Sequence, residues 1–226
     1  MKQLLSIVIL LLIGALNNLF AQKQFEGKII YDMSYPTTMV LDSVTKKMVP
    51  TETMTVTLFF KEKKMRMETL THLGTNVTIF DSEVNTSTTL INTNGRKTAV
   101  SMGKEEMKEE EEEHTPTKEK TKFVSFAETK TIAGYTCQKA EIIFPKKETE
   151  KIIVFYTTEL KSDVANKNIN WIQKRCKGIQ GIVLEYEIVN QKGIIYKVTA
   201  TQVSNETIPD SRFIIPKDYT LNKPRN

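Results

Sequence analysis

Apolar and polar side chains alternate along almost the whole chain after residue 22, a pattern typical of strands with one buried face. In Thr53–Phe60, Met54 and Leu58 lie on the apolar face, and threonines occupy the other. Met65 and Met67 belong to the next such segment and are separated by a charged residue. An antiparallel sheet with one solvent-exposed face requires this alternation.

The same criteria predict further strands along the chain, and Leu184 and Tyr186 share the apolar face of one of them. The run Ile152–Tyr156 does not alternate, which predicts a strand buried on both faces. Asn94-Gly95 predicts a two-residue hairpin turn. The additional predicted strands are Phe25–Tyr35, Asn76–Asp81, Ser87–Asn92, Arg96–Met102, Lys122–Thr129, Gln138–Phe144, Lys151–Tyr156, Leu184–Ile188 and Gly193–Gln202.

Helix signals are few. Glu159 to about Lys177 is the one candidate helix, with Trp171 in its apolar patch. About ten strands with one or two short helices predict a mainly β protein built on a single, strongly curved antiparallel sheet.

Two polar segments interrupt the strands, Pro36–Pro50 and Lys104–Lys120. The second, which we call the charged segment, contains eight glutamates and four lysines. Such density of charge predicts a long, mobile loop that buries little. Because it lies between two strands, we expect residues 23–226 to form one domain that carries this loop at about 104–120.

The N-terminus has the three parts of a secretory signal peptide in order. Lys2 is basic, Leu4–Leu16 is an apolar run, and Ala21 is the small residue that a signal peptidase needs. The run is too short to cross a bilayer, which takes about 20 apolar residues. We therefore predict that residues 1–22 are removed on export and that the mature chain has no transmembrane segment. A retained N-terminal anchor is the alternative.

The formal net charge is +5, but the lysines are scattered through the predicted strands instead of forming a basic patch. No basic run is interleaved with aromatic residues, as nucleic-acid binding would require. We expect no nucleic-acid partner.

Residues suited to catalysis or metal binding are scarce. The only two histidines are His72, beside a turn, and His114, at the end of the run Glu109–Glu113. Neither setting predicts a positioned general base, and the chain has no Gly-rich phosphate loop or zinc-ligand spacing. Consecutive glutamates on a mobile loop do not supply the fixed ligands of a cation site. We therefore expect no catalytic residue, metal or cofactor, and no enzymatic activity.

Cys137 and Cys176 are the only cysteines. In an oxidising compartment such a pair is a candidate disulfide, and two buried unpaired thiols are the alternative.

Eight methionines follow the signal peptide, all between Met33 and Met107. Methionine adapts to irregular apolar shapes, so an apolar strand face rich in methionine suits a lipid-accepting cavity. Ordinary core packing is the alternative interpretation.

Five phrases of the mature chain resemble the DUF4412 family of exported proteins and its GLPGLI relative. Gln180 stands where GLPGLI proteins have proline, which favours DUF4412. The resemblance implies export in a diderm bacterium, to the periplasm or the outer membrane, and a LolA-like half-barrel. It implies no activity or catalytic residue. The phrases are Phe25–Tyr31, Lys63–Glu68, Ile132–Ala140, Lys177–Glu185 and Phe213–Tyr219.

Two hypotheses about function follow. In the first, the protein is a non-enzymatic carrier or sensor that holds an acyl chain of a lipid, or another apolar ligand, inside the curved sheet. In the second, the sheet is filled by its own side chains, and the surface binds an envelope protein partner. A cavity inside the sheet distinguishes them. The predicted ligand-lining residues are Met54, Leu58, Met65, Met67, Trp171, Leu184 and Tyr186.

The first testable prediction concerns export. We expect cleavage near Ala21, because the basic, apolar and small-residue regions follow one another in order. Intact-mass measurement of protein recovered from the cell envelope checks this. A mass that still includes residues 1–22 would contradict it.

Overall fold

The computed structural model describes residues 24–35, 54–71, 74–93, 95–108, 122–144, 150–165, 179–190 and 193–222. Strands occupy most of these ranges. In chain order they are β1 (Gly27–Ser34), β2 (Met54–Lys61), β3 (Lys64–Thr71), β4 (Gly74–Asp81), β5 (Thr86–Thr93), β6 (Arg96–Met102), β7 (Lys122–Ile132), β8 (Tyr135–Ile143), β9 (Lys151–Thr157), β10 (Ile182–Asn190), β11 (Gly193–Asn205) and β12 (Thr220–Asn222).

All twelve strands belong to one sheet, in the order β12-β6-β5-β4-β3-β2-β1-β11-β10-β9-β8-β7. The strands β1 to β6 form one antiparallel meander, and β7 to β11 form a second. The two meet where β1 pairs with β11, and the short β12 adds to β6 in parallel. The predicted class, mainly β with a single antiparallel sheet, is confirmed.

The half of the sheet from β11 to β7 is strongly rolled. Lys130 on β7 forms an ion pair with Glu185 on β10, although β8 and β9 lie between these strands. In a flat sheet, strands three positions apart are separated by about 14 Å, too far for such a pair. The predicted curvature is therefore confirmed.

Strand β9 lies between two apolar clusters. Ile152, Val154 and Tyr156 belong to one of them, together with Ala140 and Ile142 of β8. The other face of β9 contributes Phe155 to the second and larger cluster, which we call the main core, and Ile153 packs against that core. The predicted burial of β9 on both faces is confirmed.

Glycine allows two close backbone approaches. A Cβ atom on Gly27, at φ +155°, would stand 2.0 Å from the carbonyl oxygen of Ser204. On Gly181, at φ +143°, it would stand 2.0 Å from the carbonyl oxygen of Thr157. Any larger residue would force these strands apart. The predicted hairpin joins β5 and β6, and Gly95 in its turn has the positive φ of +82° that such turns need.

The helix predicted from Glu159 is wrong for its first residues, because 159–165 form bends and turns. Here Ser162 Oγ accepts a hydrogen bond from the backbone N–H of Ala165 at 3.2 Å, a local turn contact. The remainder of that predicted helix, with Trp171, lies outside the described residues. So do residues 1–22 and the whole Pro36–Pro50 segment. Within the described ranges no helix is long and apolar enough to cross a bilayer.

The charged segment begins differently from the predicted loop, because residues 104–108 are helical. The Glu106 carboxylate accepts a 2.6 Å hydrogen bond from the backbone N–H of Gly103, which satisfies a free donor at the helix start. Met107 is partly buried against the main core, and the expectation that the segment as a whole buries little stays a prediction. Residues 109–120 lie outside the described ranges.

Residues 210–219, which we call the C-terminal strap, cross one face of β4 to β6; the sequence pattern did not predict this arrangement. The strap begins with a 3-10 helix at Asp210–Phe213. We call the face that it covers the outer face. Phe213, Ile215 and Tyr219 pack over Val77, Ile79, Leu90 and Ala99. Ion pairs hold both ends of the strap, Lys61 with Asp210 at 2.8 Å and Lys97 with Asp218 at 2.5 Å.

A buried carboxylate ties the rolled strands together. Glu185 is only 2% exposed, and Lys130, Lys197 Nζ at 3.1 Å and Thr199 Oγ1 at 3.0 Å surround it. Burial alone would raise the pKa of Glu185, but the hydrogen bonds from the two lysines outweigh it and lower that pKa. Lys130 also lies over the ring of Phe155, with Nζ 4.2 Å from its centroid.

The strap should contribute measurably to stability. We expect the double variant Phe213→Ala, Ile215→Ala to lower the free energy of unfolding by about 2 kcal/mol, because it uncovers the apolar face beneath. Ile214→Ala is the matched control, since Ile214 lies between them and is 62% exposed. Urea denaturation of the three proteins measures the effect. Equal stability of the double variant and the control would contradict it.

Glu185 and the three side chains that surround it, which we call the Glu185 network, should stabilise the folded protein in a pH-dependent way. At neutral pH we expect Glu185→Gln to lower the free energy of unfolding by about 2 kcal/mol. A carboxyl group whose pKa is lowered on folding stabilises the folded protein at pH values above its unfolded pKa, about 4.3. This stabilisation is lost as the pH falls through the pKa of the folded state. The difference from the wild type should therefore narrow below about pH 4.

Urea denaturation at neutral and acid pH checks this, with the exposed Glu83→Gln as control. A destabilisation by Glu185→Gln that is equal at both pH values would contradict it.

Candidate functional site

The register of β1, β2 and β3 brings the predicted methionines to one face of the sheet. Met33 on β1 lies opposite Met54 on β2, and Leu58 on β2 lies opposite Met67 on β3. Met65 lies opposite Phe60 on β2, two residues from Met67 along β3. We call the face that these residues share the methionine face.

Burial of the methionine face decreases from one end to the other. At the closed end Phe60 is 1% and Met65 0% exposed, and Phe80 lies opposite Met65. Met33, Met54 and Met67 at the other end are partly exposed. The inner end is therefore filled by the protein's own side chains, whereas the outer end presents apolar surface.

Tyrosines border the open end. The rings of Tyr35 and Tyr196 are 6.1 Å apart between centroids, and Tyr186 meets Tyr196 edge-on, also at 6.1 Å. The Tyr35 hydroxyl donates to the sulfur of Met33 at 3.7 Å, which joins this tyrosine cluster to the methionine face. Tyrosine has an apolar ring and a polar hydroxyl, so it suits the entrance of a site where the buried part of the ligand is apolar and the rest is solvated.

Tyr31 joins β1 to β10 beside the open end of the methionine face. It is 5% exposed, and its hydroxyl donates to the carbonyl oxygen of Val183 at 2.9 Å, across the intervening β11. Burial, with smaller effects from Tyr186 and Cys137, raises the pKa of Tyr31 well above its usual value. The hydroxyl therefore stays protonated and serves as a structural donor.

The structure places the predicted ligand-lining residues at different depths. Leu58 and Leu184 are buried in the main core together with Met65. Met54, Met67 and Tyr186 are partly exposed. Trp171 lies outside the described residues, so its predicted position beside this face stays a prediction.

The predicted ligand-lining set omits four residues of the open end: Met33, Val56, Tyr35 and Tyr196. Met33 and Val56 could have been included, since each alternates correctly with its neighbours on an apolar strand face. Tyr196 could not, because its proximity to Tyr35 depends on the pairing of β1 with β11.

A polar recess of about 320 Å³ lies elsewhere, where β1 begins and β11 ends. Its walls include Gln24, Glu26, Glu159, Lys161 and Glu206. Glu26 and Glu159 each accept a backbone N–H, from Ile208 at 3.1 Å and Thr136 at 3.1 Å, so these carboxylates also hold loops in place. None of the predicted ligand-lining residues that the structure describes borders this recess.

Cys137 is buried and has no disulfide partner among the described residues. Burial raises the pKa of this thiol to about 11, so it is protonated and unreactive at neutral pH. Cys176 lies outside the described residues, and its pairing with Cys137 stays a prediction. Among the described residues no three His, Cys, Asp or Glu side chains are grouped to hold a metal ion.

Similar folds occur among solved structures. PNGF-II superposes with a TM-score of 0.50 at 17% identity over 88% of this chain. The match takes in 32% of PNGF-II, so this chain spans about a third of that protein's length. At this identity the likeness concerns the fold alone.

Two further structures match over 88% of this chain with lower scores. An uncharacterized conserved protein from Thermus thermophilus has a TM-score of 0.49 at 9% identity, with 91% of its own chain covered. The Pseudomonas aeruginosa MucA/MucB complex has a TM-score of 0.48 at 8% identity, with 58% of the matched chain covered.

Among curated proteins, none matches this chain. A family profile does match, over residues 42–219, which is most of the chain. The expected family is confirmed: the chain belongs to DUF4412, a family described as a domain of unknown function.

Proposed function

We propose that the protein is exported to the cell envelope and there binds the acyl chain of a lipid at the open end of the methionine face, without converting it chemically. One observation supports this above all. Three adjacent strands present Met33, Met54 and Met67 on the same face, and all three are partly exposed.

The chemistry of this end suits a flexible apolar ligand. Thioether side chains are unbranched and polarisable, so they adapt to an acyl chain better than branched residues do. Each ligand methylene that is fully buried contributes about 0.8 kcal/mol, so a long chain can outweigh the cost of association. The tyrosine cluster supplies the polar border that the ligand's head group needs.

The closed end limits where the ligand can lie. Phe60, Met65 and Phe80 are packed together with almost no exposure, so the ligand lies along the outer rows of the face instead of entering between these side chains. This changes the initial hypothesis, in which Met65 lines the ligand. In the present proposal Met65 supports the floor of the site.

The same packing favours the alternative function, a scaffold with a filled core that binds an envelope protein through its surface. The two functions differ in one property, the presence of an acyl site that saturates. The experiment below therefore decides between them.

We expect Met67→Glu to weaken binding of a dansyl-labelled fatty acid about tenfold or more, because a carboxylate would lose hydration beside the acyl chain. The matched control is Leu70→Glu, on the same strand and the opposite face, where Leu70 is 59% exposed. Fluorescence titration of the mature protein measures both affinities, and thermal melting confirms that both variants fold. Met65→Glu is unsuitable, since it would place a charge in the packed core.

The wild type and Leu70→Glu should saturate with similar affinity. Failure of the wild type to bind the fatty acid saturably would contradict the carrier proposal and favour the scaffold. Equal affinity of all three proteins would show that the acyl site lies elsewhere.

A further inference from the structure

Strand β7 is the last strand of the sheet in the part of the chain that the structure describes, and no other described strand borders its outer edge. Within the described ranges it pairs with β8 alone. Its last residues turn into the core, where Lys130 contacts Glu185 and Ile132 is 5% exposed. By contrast, Val124–Thr129 is exposed throughout.

The exposed part of β7 carries two large apolar side chains on one side. Val124 and Phe126 are each 37% exposed. Lys139 of β8 lies over the ring of Phe126 at 5.6 Å and bonds the Glu128 carboxylate at 2.6 Å, so Phe126 and Glu128 point to the same side of the sheet. A long exposed edge strand with apolar side chains is a template for pairing with another strand.

The regular pairing with β8 is interrupted at this point. Ser125 lies opposite Ala140 and Thr129 opposite Gln138, so three residues of β7 face a single residue of β8. The carbonyl oxygen of Phe126 takes a hydrogen bond from the Gln138 side chain at 3.2 Å. Phe126–Glu128 therefore lie outside the regular ladder with β8, and the Gln138 side chain holds this part of β7 in place.

The sequence of this edge is complementary to itself. When two copies of Lys122–Glu128 are aligned antiparallel about Ser125, Lys122 of each copy meets Glu128 of the other. Val124 of each copy then meets Phe126 of the other. Opposite charges and aromatic–β-branched pairs are the cross-strand neighbours that stabilise antiparallel strands.

We propose that two copies of this protein associate through antiparallel pairing of their β7 edges about Ser125, which joins their sheets into one. The interface is two-fold symmetric, so each cross-strand contact occurs twice, except the one between the two Ser125 residues on the axis. It involves neither the methionine face nor the polar recess, and it is independent of the proposed lipid binding.

Charge reversal gives a test that distinguishes pairing from folding. Lys122→Glu places two glutamates opposite each other at both ends of the interface, and Glu128→Lys places two lysines there. We expect each single variant to dimerise about tenfold more weakly than the wild type. The double variant restores opposite charges and should dimerise like the wild type.

Mixing the two single variants gives a second, independent test of the pairing. In the mixed dimer, the glutamate introduced at position 122 of one copy meets the lysine introduced at position 128 of the other. At the opposite end of the interface the native Glu128 meets the native Lys122, so both contacts are attractive. We expect the equimolar mixture to form a heterodimer with wild-type affinity. Lys217→Glu, an exposed lysine outside β7, is the control for the change in net charge.

Sedimentation velocity of the mature proteins over a range of concentrations measures each dimerisation constant, with thermal melting to confirm folding. A wild type that stays monomeric at all concentrations would overturn the proposal. A dimerisation constant that is unchanged in both single variants would overturn it as well. So would an equimolar mixture of the two single variants that dimerises as weakly as each variant alone.

Discussion

The pairing of β1 with β11 is the contact on which the rest of the structure depends. It joins two meanders that are each built from neighbours in the chain, and it does so between residues as far apart as Gly27 and Asn205. Without it, the methionine face on β1 to β3 would have no continuation onto Val198 and Tyr186. Forming such a pair requires closing a very long loop, so it is costly in chain entropy before any contact offsets that cost.

Several contacts compensate for this cost at or beside the same junction. Tyr31 on β1 donates a hydrogen bond to Val183 on β10, across β11. The contacts of Glu185 stay within the second meander, where they hold β7, β10 and β11 together and so support the β11 side of the junction. Gly27 adds to this by letting the two backbones approach more closely than a side chain would permit. The junction itself is therefore reinforced by the buried hydroxyl of Tyr31 and by the absence of a side chain at Gly27.

The two faces of the sheet are used differently as a result. The outer face of β4 to β6 is covered by the C-terminal strap, so its apolar residues serve packing. The methionine face has a packed end and an open end, and the tyrosine cluster borders the open one. A sheet that is filled at one end keeps its shape without a ligand, which leaves the other end available for binding. This combines a feature of each initial hypothesis, a filled core and an apolar surface.

The sequence by itself determined which residues belong to strands and which of their side chains share a face. The absence of alternation in Ile152–Tyr156 correctly indicated burial on both faces, because side-chain direction along a strand is a local property. Alternation in Met54–Phe60 indicated the face of Leu58 and Phe60 correctly but missed the burial of Phe59 on the other face, where Arg212 lies over its ring. The family assignment also followed from sequence phrases alone.

Only the tertiary structure decided which strands are neighbours and in what register. That Met33 meets Met54, that Tyr35 meets Tyr196 and that Lys130 reaches Glu185 depends on pairings between distant segments, for which local alternation carries no information. Depth of burial is decided in the same way: Met65 and Met67 are equivalent in the sequence pattern, yet only Met65 is fully enclosed, because Phe60 and Phe80 flank it on both sides.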